Sequence, residues 1–368
     1  MNDTMKDLQK RWIWKEVELG EICEVLTGFA FKSNLFNEEG KGKLLIRIRD
    51  LLEGKSKTYY SGEFEEKYLV KAGDFLIGMD GEFKIFEWKS EDALLNQRVC
   101  KLILNKDLVF PKYIFYRISK ELKEIEDKTP FVTVKHISNK QILSIKIPLP
   151  HISTQKQIVS ILEKAEKLKQ KRGEADKLTK EYLQSVFYEM FYNKRFEEVE
   201  LGEICEIKKG TSITKDTITN GTVPVIAGGQ QAAYYHNTSN RTGETLTVSG
   251  SGAYAGFVAY FNIPIFASDC STIQVKDKKI QMIYIYYFLK TNQTKIYKMQ
   301  KGIAQPHVYP KDLENIKIPL PPLPLQQKFA SIVEQVEKLK EKQKQSKENI
   351  NNLFNSLMQR AFNGELIR

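Results

Sequence analysis

The segment EVELGEICE occupies residues 16–24 and returns without change at residues 198–206. A second segment, IKIPLP at residues 145–150, returns at residues 316–321. Between these anchors the two halves share almost no sequence. A chain that repeats its frame and varies the inserts is expected to present two different binding domains on one duplicated support.

The two repeated segments lie at different offsets. EVELGEICE recurs after 182 residues (16 to 198), whereas IKIPLP recurs after 171 (145 to 316), so the second insert is 11 residues shorter. Beyond IKIPLP the offset stays at 171, since Ser185 and Phe191 match Ser356 and Phe362. Because length varies in the insert and is constant after it, the segment after the insert is predicted to be a spacer of fixed length.

Each spacer is predicted to be a long helix. Apolar residues alternate every three and four positions, as in a coiled-coil seam, and about 40 helical residues span about 60 Å. Thr154 and Gln157 are spaced as a capping box, Pro324 suits a first turn, and Gly364 is expected to end the second helix. Two solitary surface helices are the alternative, but the repeated seam favours pairing with each other. The predicted seam consists of Ile158, Ile161, Ala165, Leu168, Tyr182, Val186, Ile332, Val336, Leu339, Ile350, Leu353 and Leu357, with a polar stretch at Arg172–Thr179 and Gln343–Ile350.

The sequence therefore divides into a first variable domain (1–152), a central helix (153–196), a second variable domain (197–322) and a C-terminal helix (323–368). Both variable domains are predicted to mix α and β structure, with β prominent. The predicted strands are residues 43–49, 74–78 and 98–104, then 223–226, 245–249, 256–261 and 272–275, and the predicted helices are 111–124 and 281–290.

Length and composition set the class of protein. The 368 residues suffice for two domains with their own cores. We find no signal peptide and no apolar run long enough for a bilayer, which predicts a soluble, cytoplasmic chain. The four cysteines form no close pair, so buried free thiols are expected instead of disulfides or zinc ligands, and no metal site is predicted.

The net charge of +11 is spread along the chain and by itself only weakly favours nucleic-acid binding. Local clusters of basic, polar and aromatic residues are of the types that contact phosphates and base edges. In one loop of the second domain, packing and binding explain the tyrosine pair equally well. The candidates are Arg47, Arg49, Lys55, Lys57, Tyr59 and Tyr60 in the first domain, and Lys208, Lys209, Thr211, Ser212, Tyr234, Tyr235, Asn237 and Arg241 in the second.

Enzymatic interpretations fail. The GxGxxA-like stretch at 250–255 is followed by a predicted strand where a dinucleotide site needs a helix, so a hairpin is the better interpretation. Asp80, Glu82 and Lys84 resemble nuclease residues, but surface charge explains them. His136 and His307 match at the offset of 171; packing in a loop is slightly favoured for them over contact with DNA or with the repeated frame. We find no tetrapeptide of the kind that amino-methyltransferases carry, and no catalytic residue is predicted.

The order of variable domain, IxIPLP block and long helix, given twice and ending in SLMQRAFNGEL at 356–366, resembles the specificity subunit of type I restriction-modification systems over essentially the whole chain. Further similar pieces are GFAFKS at 28–33, NQR at 96–98 and GIAQPHV at 302–308. They add Lys32, Ser33, Asn96, Gln97, Arg98 and His307 to the DNA-binding candidates, and His136 joins them as the match of His307 at the offset of 171. Asn96 and Gln97 have no clear counterpart around Asp269–Ser271.

The resemblance implies two target recognition domains, each reading one half of an interrupted, asymmetric site on double-stranded DNA, held apart by an antiparallel coiled coil. It implies two methyltransferase subunits as partners, joined by restriction and translocase subunits. S-adenosylmethionine would bind the methyltransferase, so no cofactor is expected on this chain. Two alternatives stay open: a scaffold whose variable domains bind proteins, and the specificity subunit of a related system that cuts beside its site.

Overall fold

The structure, a computed structural model, describes residues 14–130, 134–192, 194–217, 219–276, 279–302 and 305–367. The chain divides into two compact units. Unit 1 is Met1–Gln170 with Lys347–Arg368, and unit 2 is Lys171–Ser346. Each unit therefore contains one variable domain and a part of each long helix. The mixed α and β fold with a long helix after each domain confirms the predicted fold class.

The elements of the first half run, in order, β1 (Glu16–Glu18), β2 (Cys23–Thr27), β3 (Phe36–Asn37), β4 (Lys43–Ile46), β5 (Tyr59–Tyr60), β6 (Leu69–Val70), β7 (Phe75–Gly78), β8 (Ile85–Glu87), β9 (Ala93–Leu95), β10 (Val99–Leu104), α1 (Pro111–Lys128), α2 (Asn139–Leu143), β11 (Lys146–Pro148) and α3 (Ile152–Phe187), which continues into a π-helical turn at Tyr188–Tyr192. The second half contributes β12 (Glu198–Glu200), α4 (Leu201–Ile204), β13 (Cys205–Lys209), β14 (Val223–Ile226), β15 (Tyr234–His236), β16 (Thr245–Ser249), β17 (Val258–Phe261), β18 (Phe266–Ala267), β19 (Cys270–Val275), α5 (Met282–Thr291), α6 (Gln293–Tyr297), α7 (Pro310–Glu314), β20 (Lys317–Pro319) and α8 (Leu323–Phe362).

The repeated anchors pair with each other inside each unit. In unit 1, β1 is antiparallel to β11 with Val17 opposite Ile147, and in unit 2 β12 is antiparallel to β20 with Val199 opposite Ile318. The EVELGEICE and IKIPLP segments are therefore the two strands of one small sheet. This sheet closes the base of each variable domain, because it joins the first strand of the domain to the strand that precedes the long helix.

Each variable domain has one constant sheet and one variable sheet. The constant sheet has the order β2-β10-β7-β8 in unit 1 and β13-β19-β16-β17 in unit 2. The variable sheet has the order β3-β5-β4-β9-β6 in unit 1 and β15-β14-β18 in unit 2. The offset already equals 171 at β7 and β10, since Leu76 pairs with Lys101 as Thr247 pairs with Thr272. The 11 missing residues therefore lie between β2 and β7, in the segment that builds most of the variable sheet.

Most predicted strands and both domain helices are confirmed. The strand predicted for 43–49 is too long, because β4 ends at Ile46 and Ile48–Asp50 form a 3-10 turn. The Asp50 carboxylate stabilises this turn by accepting a hydrogen bond from the Arg47 backbone N–H at 2.9 Å. The stretch at 250–255 connects the antiparallel strands β16 and β17, which confirms the hairpin.

The predicted end of α8 is confirmed, whereas the capping box predicted for α3 is wrong. Gly364 has a φ of +75°, and the Glu365 N–H reaches the Arg360 carbonyl at 2.8 Å, as in a glycine-terminated helix. Pro324 does lie in the first turn of α8. Thr154, however, is already inside α3, which begins at Ile152 directly after the proline block.

A buried glutamine joins each long helix to its variable domain. Gln155 is fully buried; its Oε1 accepts the Phe110 N–H at 2.8 Å, and its Nε2 donates to the carbonyls of Pro150 at 2.8 Å and Leu108 at 3.1 Å. The side-chain amide thereby pairs three backbone groups from two segments. We call this contact and its counterpart in unit 2 the glutamine clamps.

The clamp of unit 2 is the same contact 171 residues later. Gln326 is fully buried, accepts the Gln281 N–H at 2.8 Å, and donates to Pro321 O at 2.7 Å and Lys279 O at 3.3 Å. A tyrosine of the domain helix adds a second repeated bond, in which Tyr284 Oη donates to Pro319 O at 2.7 Å. The start of each long helix is therefore fixed relative to its domain.

The long helices pair antiparallel. In unit 2, Thr179 of α3 hydrogen-bonds Gln343 of α8 at 2.8 Å, whereas Phe187 contacts Phe329 with ring centroids 5.2 Å apart. Later residues of α3 thus meet earlier residues of α8. In unit 1, Lys169 Nζ lies 4.7 Å from the centre of the Phe354 ring, on the same helices.

The predicted seam is correct at some positions and displaced by one residue at others. Ile158, Ala165 and Val336 are buried as predicted. Val186, Ile161, Ile332, Ile350 and Leu357 are half-buried. Four predicted seam residues are exposed: Leu168 (48 %), Tyr182 (53 %), Leu339 (46 %) and Leu353 (47 %).

The displacement has a simple cause. Ile161-Leu162, Ile332-Val333, Tyr182-Leu183 and Leu353-Phe354 are adjacent apolar pairs, so at these positions two heptad registers fit the sequence equally well. Leu168 and Leu339 are followed by lysines, so no such pair explains their exposure. The structure buries the second member more deeply than the first in each pair, as with Leu162 (0 %) and Leu183 (2 %).

The ends of the described chain meet in unit 1. Trp14, Leu366 and Ile367 pack against one apolar cluster, and Phe362 contacts Tyr113 with ring centroids 5.4 Å apart. In unit 2 the corresponding contact, Phe191 on Tyr284 at 4.8 Å, lies just before the covalent link into β12.

We expect Gln155→Leu to lower the free energy of unfolding by about 2 kcal/mol or more, because the substitution leaves the Phe110 N–H and two carbonyls without this partner. Gln157→Leu, on the exposed face of the same helix, is the matched control and should change stability little. Urea unfolding measures both. Equal effects of the two substitutions would show that the clamp does not stabilise the fold.

Candidate nucleic-acid interface

Three segments that are distant in sequence converge at one edge of the constant sheet in each unit. In unit 1 they are residues 79–81 after β7, 96–98 before β10, and 135–137. In unit 2 they are residues 250–252, 267–269 and 306–308, each displaced by 171. We call this arrangement the three-segment frame.

Backbone hydrogen bonds fix the frame of unit 1. Met79 N–H donates to Arg98 O at 2.9 Å, and Ile137 N–H donates to Met79 O at 2.9 Å. Gly81, with a φ of +77°, donates its N–H to Lys135 O at 2.9 Å. These bonds involve no side chain, so they leave the side chains between them free to vary.

The frame of unit 2 repeats every one of these bonds. Gly250 N–H donates to Asp269 O, Val308 N–H donates to Gly250 O, and Gly252 N–H donates to Pro306 O, each at 3.1 Å. Gly252 has a φ of +79°, as Gly81 has in unit 1. These three hydrogen bonds are therefore repeated in both units, whereas the φ of +72° at Arg98 has no counterpart at Asp269.

The side chains on the frame are different in the two units. In unit 1, Asp80 Oδ1 lies 2.6 Å from His136 Nδ1, and Asp80 Oδ2 lies 3.4 Å from Arg98 Nε. Arg98 and His136 expose about half of their side chains (57 % and 46 %), whereas Asp80 exposes 23 %. The less exposed Asp80 carboxylate thus contacts and orients the more exposed Arg98 and His136 side chains.

In unit 2 a serine and an acid take the places of Asp80 and Arg98. Ser251 Oγ hydrogen-bonds the Asp269 carboxylate, and His307, the counterpart of His136, stacks on Tyr309 with centroids 5.9 Å apart. The same three backbone hydrogen bonds therefore accompany a guanidinium in one unit and a carboxylate in the other.

A glycine brings the end of the first constant strand onto this edge. A Cβ at Gly28 would lie 2.1 Å from Asn96 O, and a Cβ at Gly210 would lie 2.1 Å from Ser268 O. No side chain fits at either position. The glycines of GFAFKS and KKGTS are therefore required by close backbone approach, which places both motifs beside the frame.

The structure brings several sequence candidates together at this edge. Gln97 N–H bonds Phe29 O at 2.8 Å, and Thr211 N–H bonds Ala267 O at 2.9 Å, so both glycine motifs contact the 96–98 or 267–269 segment. Arg49 lines a cavity of about 350 Å³ together with Asp80. The exposed candidates near this edge are Arg49, Gln97, Arg98, His136, Lys208, Lys209, Thr211 and Ser212.

Other candidates lie on the variable sheet. Tyr234 and Tyr235 are 41 % and 59 % exposed on β15, at the edge of the sheet, and Asn237 follows them. Lys55 and Lys57 are exposed in the segment that leads into β5. Lys32 and Ser33 are exposed beside the 3-10 turn after β2. Contact of these residues with DNA stays a prediction.

Some candidates make internal contacts. Tyr60 is 5 % exposed and packs on Phe31, and Tyr59 is half-buried. Asn96 is 7 % exposed, and its Oδ1 accepts the Gln97 N–H. For Tyr60 and Asn96, burial contradicts a direct role in binding.

Three basic candidates besides Arg98 also make internal contacts, and one of them is Lys208, whose Nζ lies 2.8 Å from Glu206 Oε1. The half-buried Arg47 pairs with Asp50 at 3.4 Å. Arg241 donates from Nε to Thr272 Oγ1 at 2.9 Å and from Nη1 to Asn240 O at 2.8 Å, so it fastens a loop to the constant sheet.

The three-segment frame is not predicted from the sequence. Asp80 is interpreted there as ordinary surface charge, and Ser251 and Asp269 are not among the candidates. The signal is present, because the offset of 171 aligns Asp80 with Ser251 and Arg98 with Asp269. The NQR segment therefore does have a counterpart, Ser268-Asp269, which is one residue shorter, since the Asn96 N–H bonds Ile46 O as the Ser268 N–H bonds Ile226 O.

Neither the cysteines nor a cluster of metal ligands offers a second candidate site in the described part of the chain. Burial raises the pKa of all four thiols, Cys23, Cys100, Cys205 and Cys270, to about 12, and all four are free. Within the described ranges there is no group of three or more His, Cys, Asp or Glu side chains that could hold a metal ion. Nor does any helix in that part of the chain have the length and apolarity to cross a membrane.

Two stretches of the chain, residues 13–179 and 193–352, match the family model described as the type I restriction modification DNA specificity domain. The chain belongs to this family. As a specificity subunit it is not an enzyme, which confirms the interpretation from sequence. The boundary between the two matches falls between residues 179 and 193, in the last turns of the central helix and its π-helical end.

Similar specificity subunits are known from bacteria and archaea. The EcoBI specificity subunit of Escherichia coli is 27 % identical over 96 % of this chain and 86 % of its own length. A putative MjaX specificity subunit of Methanocaldococcus jannaschii is 25 % identical over 96 % of this chain and 93 % of its own length. The fold is also that of the S subunit from M. genitalium, which superposes with a TM-score of 0.62 at 17 % identity and covers 95 % of this chain and 96 % of that one.

Proposed function

We propose that each unit of this specificity subunit reads one half of a bipartite, asymmetric site on double-stranded DNA. The observation that carries the proposal is the three-segment frame, where an identical set of backbone bonds presents Asp80, Arg98 and His136 in unit 1 but Ser251, Asp269 and His307 in unit 2. Base edges are distinguished by side-chain donors and acceptors. A repeated set of backbone hydrogen bonds with changed side chains suits two different half-site sequences.

The alternative of a protein-binding scaffold is less well supported. Protein-binding surfaces are expected to have an apolar centre. The frame instead exposes a guanidinium, an imidazole and an amide in unit 1. The family match supports a type I system over a related one that cuts beside its site.

Exchanging residues 197–315 for the equivalent segment of a relative should change one half-site and leave the other half and the gap unchanged, because the base contacts lie in the inserts. The test is the methylated motif in cells that carry the hybrid. A control hybrid that exchanges only part of α8 should keep both half-sites. A change in both halves after the domain exchange would refute the assignment.

The helices offer a duplicated surface for the methyltransferase subunits. Four of the exposed apolar residues of the helix pair form two matching sets, since Leu168 corresponds to Leu339 and Tyr182 corresponds to Leu353 at the offset of 171. In unit 2, Leu339 and Tyr182 line one groove of about 510 Å³ with Leu178, which is 64 % exposed.

This duplicated apolar surface suits a partner of which two copies bind, one on each set of exposed residues. Exposed apolar side chains grouped on a helix pair are typical of surfaces that a further helix covers. We assign each set to one methyltransferase subunit, with S-adenosylmethionine bound on that partner. The adenine to be methylated would be flipped out of the duplex by the partner.

We expect the double substitution Leu168→Lys with Leu353→Lys to reduce the assembly from two methyltransferase subunits to one, because charge replaces the apolar contact in unit 1 only. Leu108→Lys is the matched control, since Leu108 is similarly exposed (46 %) but lies outside the long helices. Native mass spectrometry gives the stoichiometry. Retention of two subunits by the double variant would place docking elsewhere.

The paired helices would also set the gap between half-sites. A 36-residue α3 would be about 54 Å long if straight. The polar contact between Thr179 and Gln343 lies within the weak stretch of the seam, where an insertion disturbs the least apolar packing.

Inserting four residues into each helix within 172–179 and 343–350 should lengthen the gap by one or two base pairs, because four residues add about 6 Å and nearly one full turn. Inserting two residues in each would rotate the domains by about 200° and should abolish methylation. The methylated motif of each variant is the measurement. An unchanged gap after the four-residue insertion would show that the helices do not set the distance.

A further inference from the structure

Arg98 has an unusual backbone. Its φ is +72°, and no other non-glycine residue in the described ranges has a positive φ. The left-handed region is unfavourable for a residue with a Cβ, and such conformations persist where the surrounding structure imposes them, often at functional sites. The frame bond from Met79 N–H to Arg98 O does not impose this φ by itself, because the Asp269 carbonyl accepts the equivalent bond from Gly250 N–H in unit 2 and Asp269 has no positive φ.

The contacts of the Arg98 guanidinium leave one edge open. Its Nε faces Asp80 Oδ2 at 3.4 Å, and within the described part of the chain neither Nη atom has a hydrogen-bond partner. Asp80 is itself fixed from the other side by His136 at 2.6 Å. The guanidinium is therefore oriented by Nε, while its two terminal amino groups remain available.

An open pair of guanidinium N–H groups matches one base. Guanine presents two acceptors, N7 and O6, side by side in the major groove, and a bidentate contact from arginine is the commonest base-specific contact to it. A phosphate can also accept two N–H groups. A phosphate contact, however, does not require a strained backbone or a carboxylate beside the arginine, since that carboxylate would repel the phosphate.

We propose that Arg98 reads a guanine in the half-site bound by unit 1, and that Asp80 is the residue that positions its guanidinium. This inference rests on the proposed function and adds the identity of one base and of the residue that reads it. Because the negative charge of Asp80 repels phosphates, it favours contact of Arg98 with guanine over non-specific contact with the DNA phosphates.

Unit 2 provides an internal comparison. The same frame position carries Asp269, a hydrogen-bond acceptor already bonded to Ser251. Gly228 and Gly250 pack against it, since a Cβ there would lie 3.3 Å and 3.0 Å from its carboxylate oxygens. A carboxylate cannot donate to N7 or O6, so the guanine contact is specific to unit 1.

The test uses the subunit assembled with its methyltransferase partners and duplexes in which each base pair of the unit 1 half-site is changed in turn. For the native complex, one guanine should be preferred over adenine by about 5- to 150-fold in binding. Arg98→Gly should abolish this preference at that one position and leave the other positions and the unit 2 half-site unchanged.

Arg98→Gly also separates reading from folding. Glycine accepts a φ of +72° without strain, so the melting temperature should stay the same or rise while discrimination is lost. Arg98→Lys keeps the charge but not the bidentate geometry and should also lose the preference for guanine. Asp269→Ala is the matched control on the other frame and should not alter the unit 1 half-site.

Asp80→Asn tests the positioning role. It should reduce the preference for guanine while raising the affinity for non-specific DNA, because a negative charge next to the guanidinium is removed. A loss of fold alone would lower both affinities together, and that result would contradict the positioning role.

The proposal is overturned if Arg98→Gly weakens binding to all duplexes equally with a salt slope lower by about one, since that result indicates a phosphate contact. It is also overturned if Arg98→Gly changes nothing. In either case an exchange of residues 197–315 that still changes one half-site would leave the proposed function standing. If that exchange changes neither half-site, the proposed function fails as well.

Discussion

The buried amides of Gln155 and Gln326 are the contacts on which the rest of the structure depends. Each side chain pairs three backbone groups, from the proline block and from the segment before the domain helix. An orphaned backbone group in such a buried position costs about 1–3 kcal/mol. Since the glutamine is part of the first turn of a long helix, it also fixes where that helix begins.

The glutamine clamps lie between the parts of each unit that are repeated unchanged and the sheet that differs between the units. Below them lie the two-stranded sheet and the helices, whose register repeats at a single offset of 171 residues from the proline block onward. Above them lies the variable sheet, which has two strands fewer in unit 2 while the clamp is unchanged. Sequence changes can therefore accumulate in the upper part of the domain while the two-stranded sheet and the long helices stay the same.

The larger features were predictable from sequence because the duplication, the long helices and most strands depend on repeated segments and periodicity. The seam register was not, because adjacent apolar pairs such as Tyr182-Leu183 satisfy two heptad patterns and only packing decides between them. At the candidate site, the close backbone approach at Gly28 and Gly210 was not predictable from sequence, because it depends on the facing carbonyls of Asn96 and Ser268. The contacts of Asp80 join segments far apart in the chain, so no local pattern contains them. Tyr60 resembles a binding residue because aromatic side chains beside lysines occur in cores as well as in interfaces.

The packing of Phe362 on Tyr113 has a consequence for chain order. It reproduces, between the two ends of the described chain, the contact that Phe191 makes with Tyr284 immediately before a covalent connection. One unit is thus built from a continuous segment and the other from segments brought together by packing alone. A circularly permuted chain, opened between the π-helical turn and β12 and joined at its present ends, would therefore contain the same contacts in a different order along the sequence.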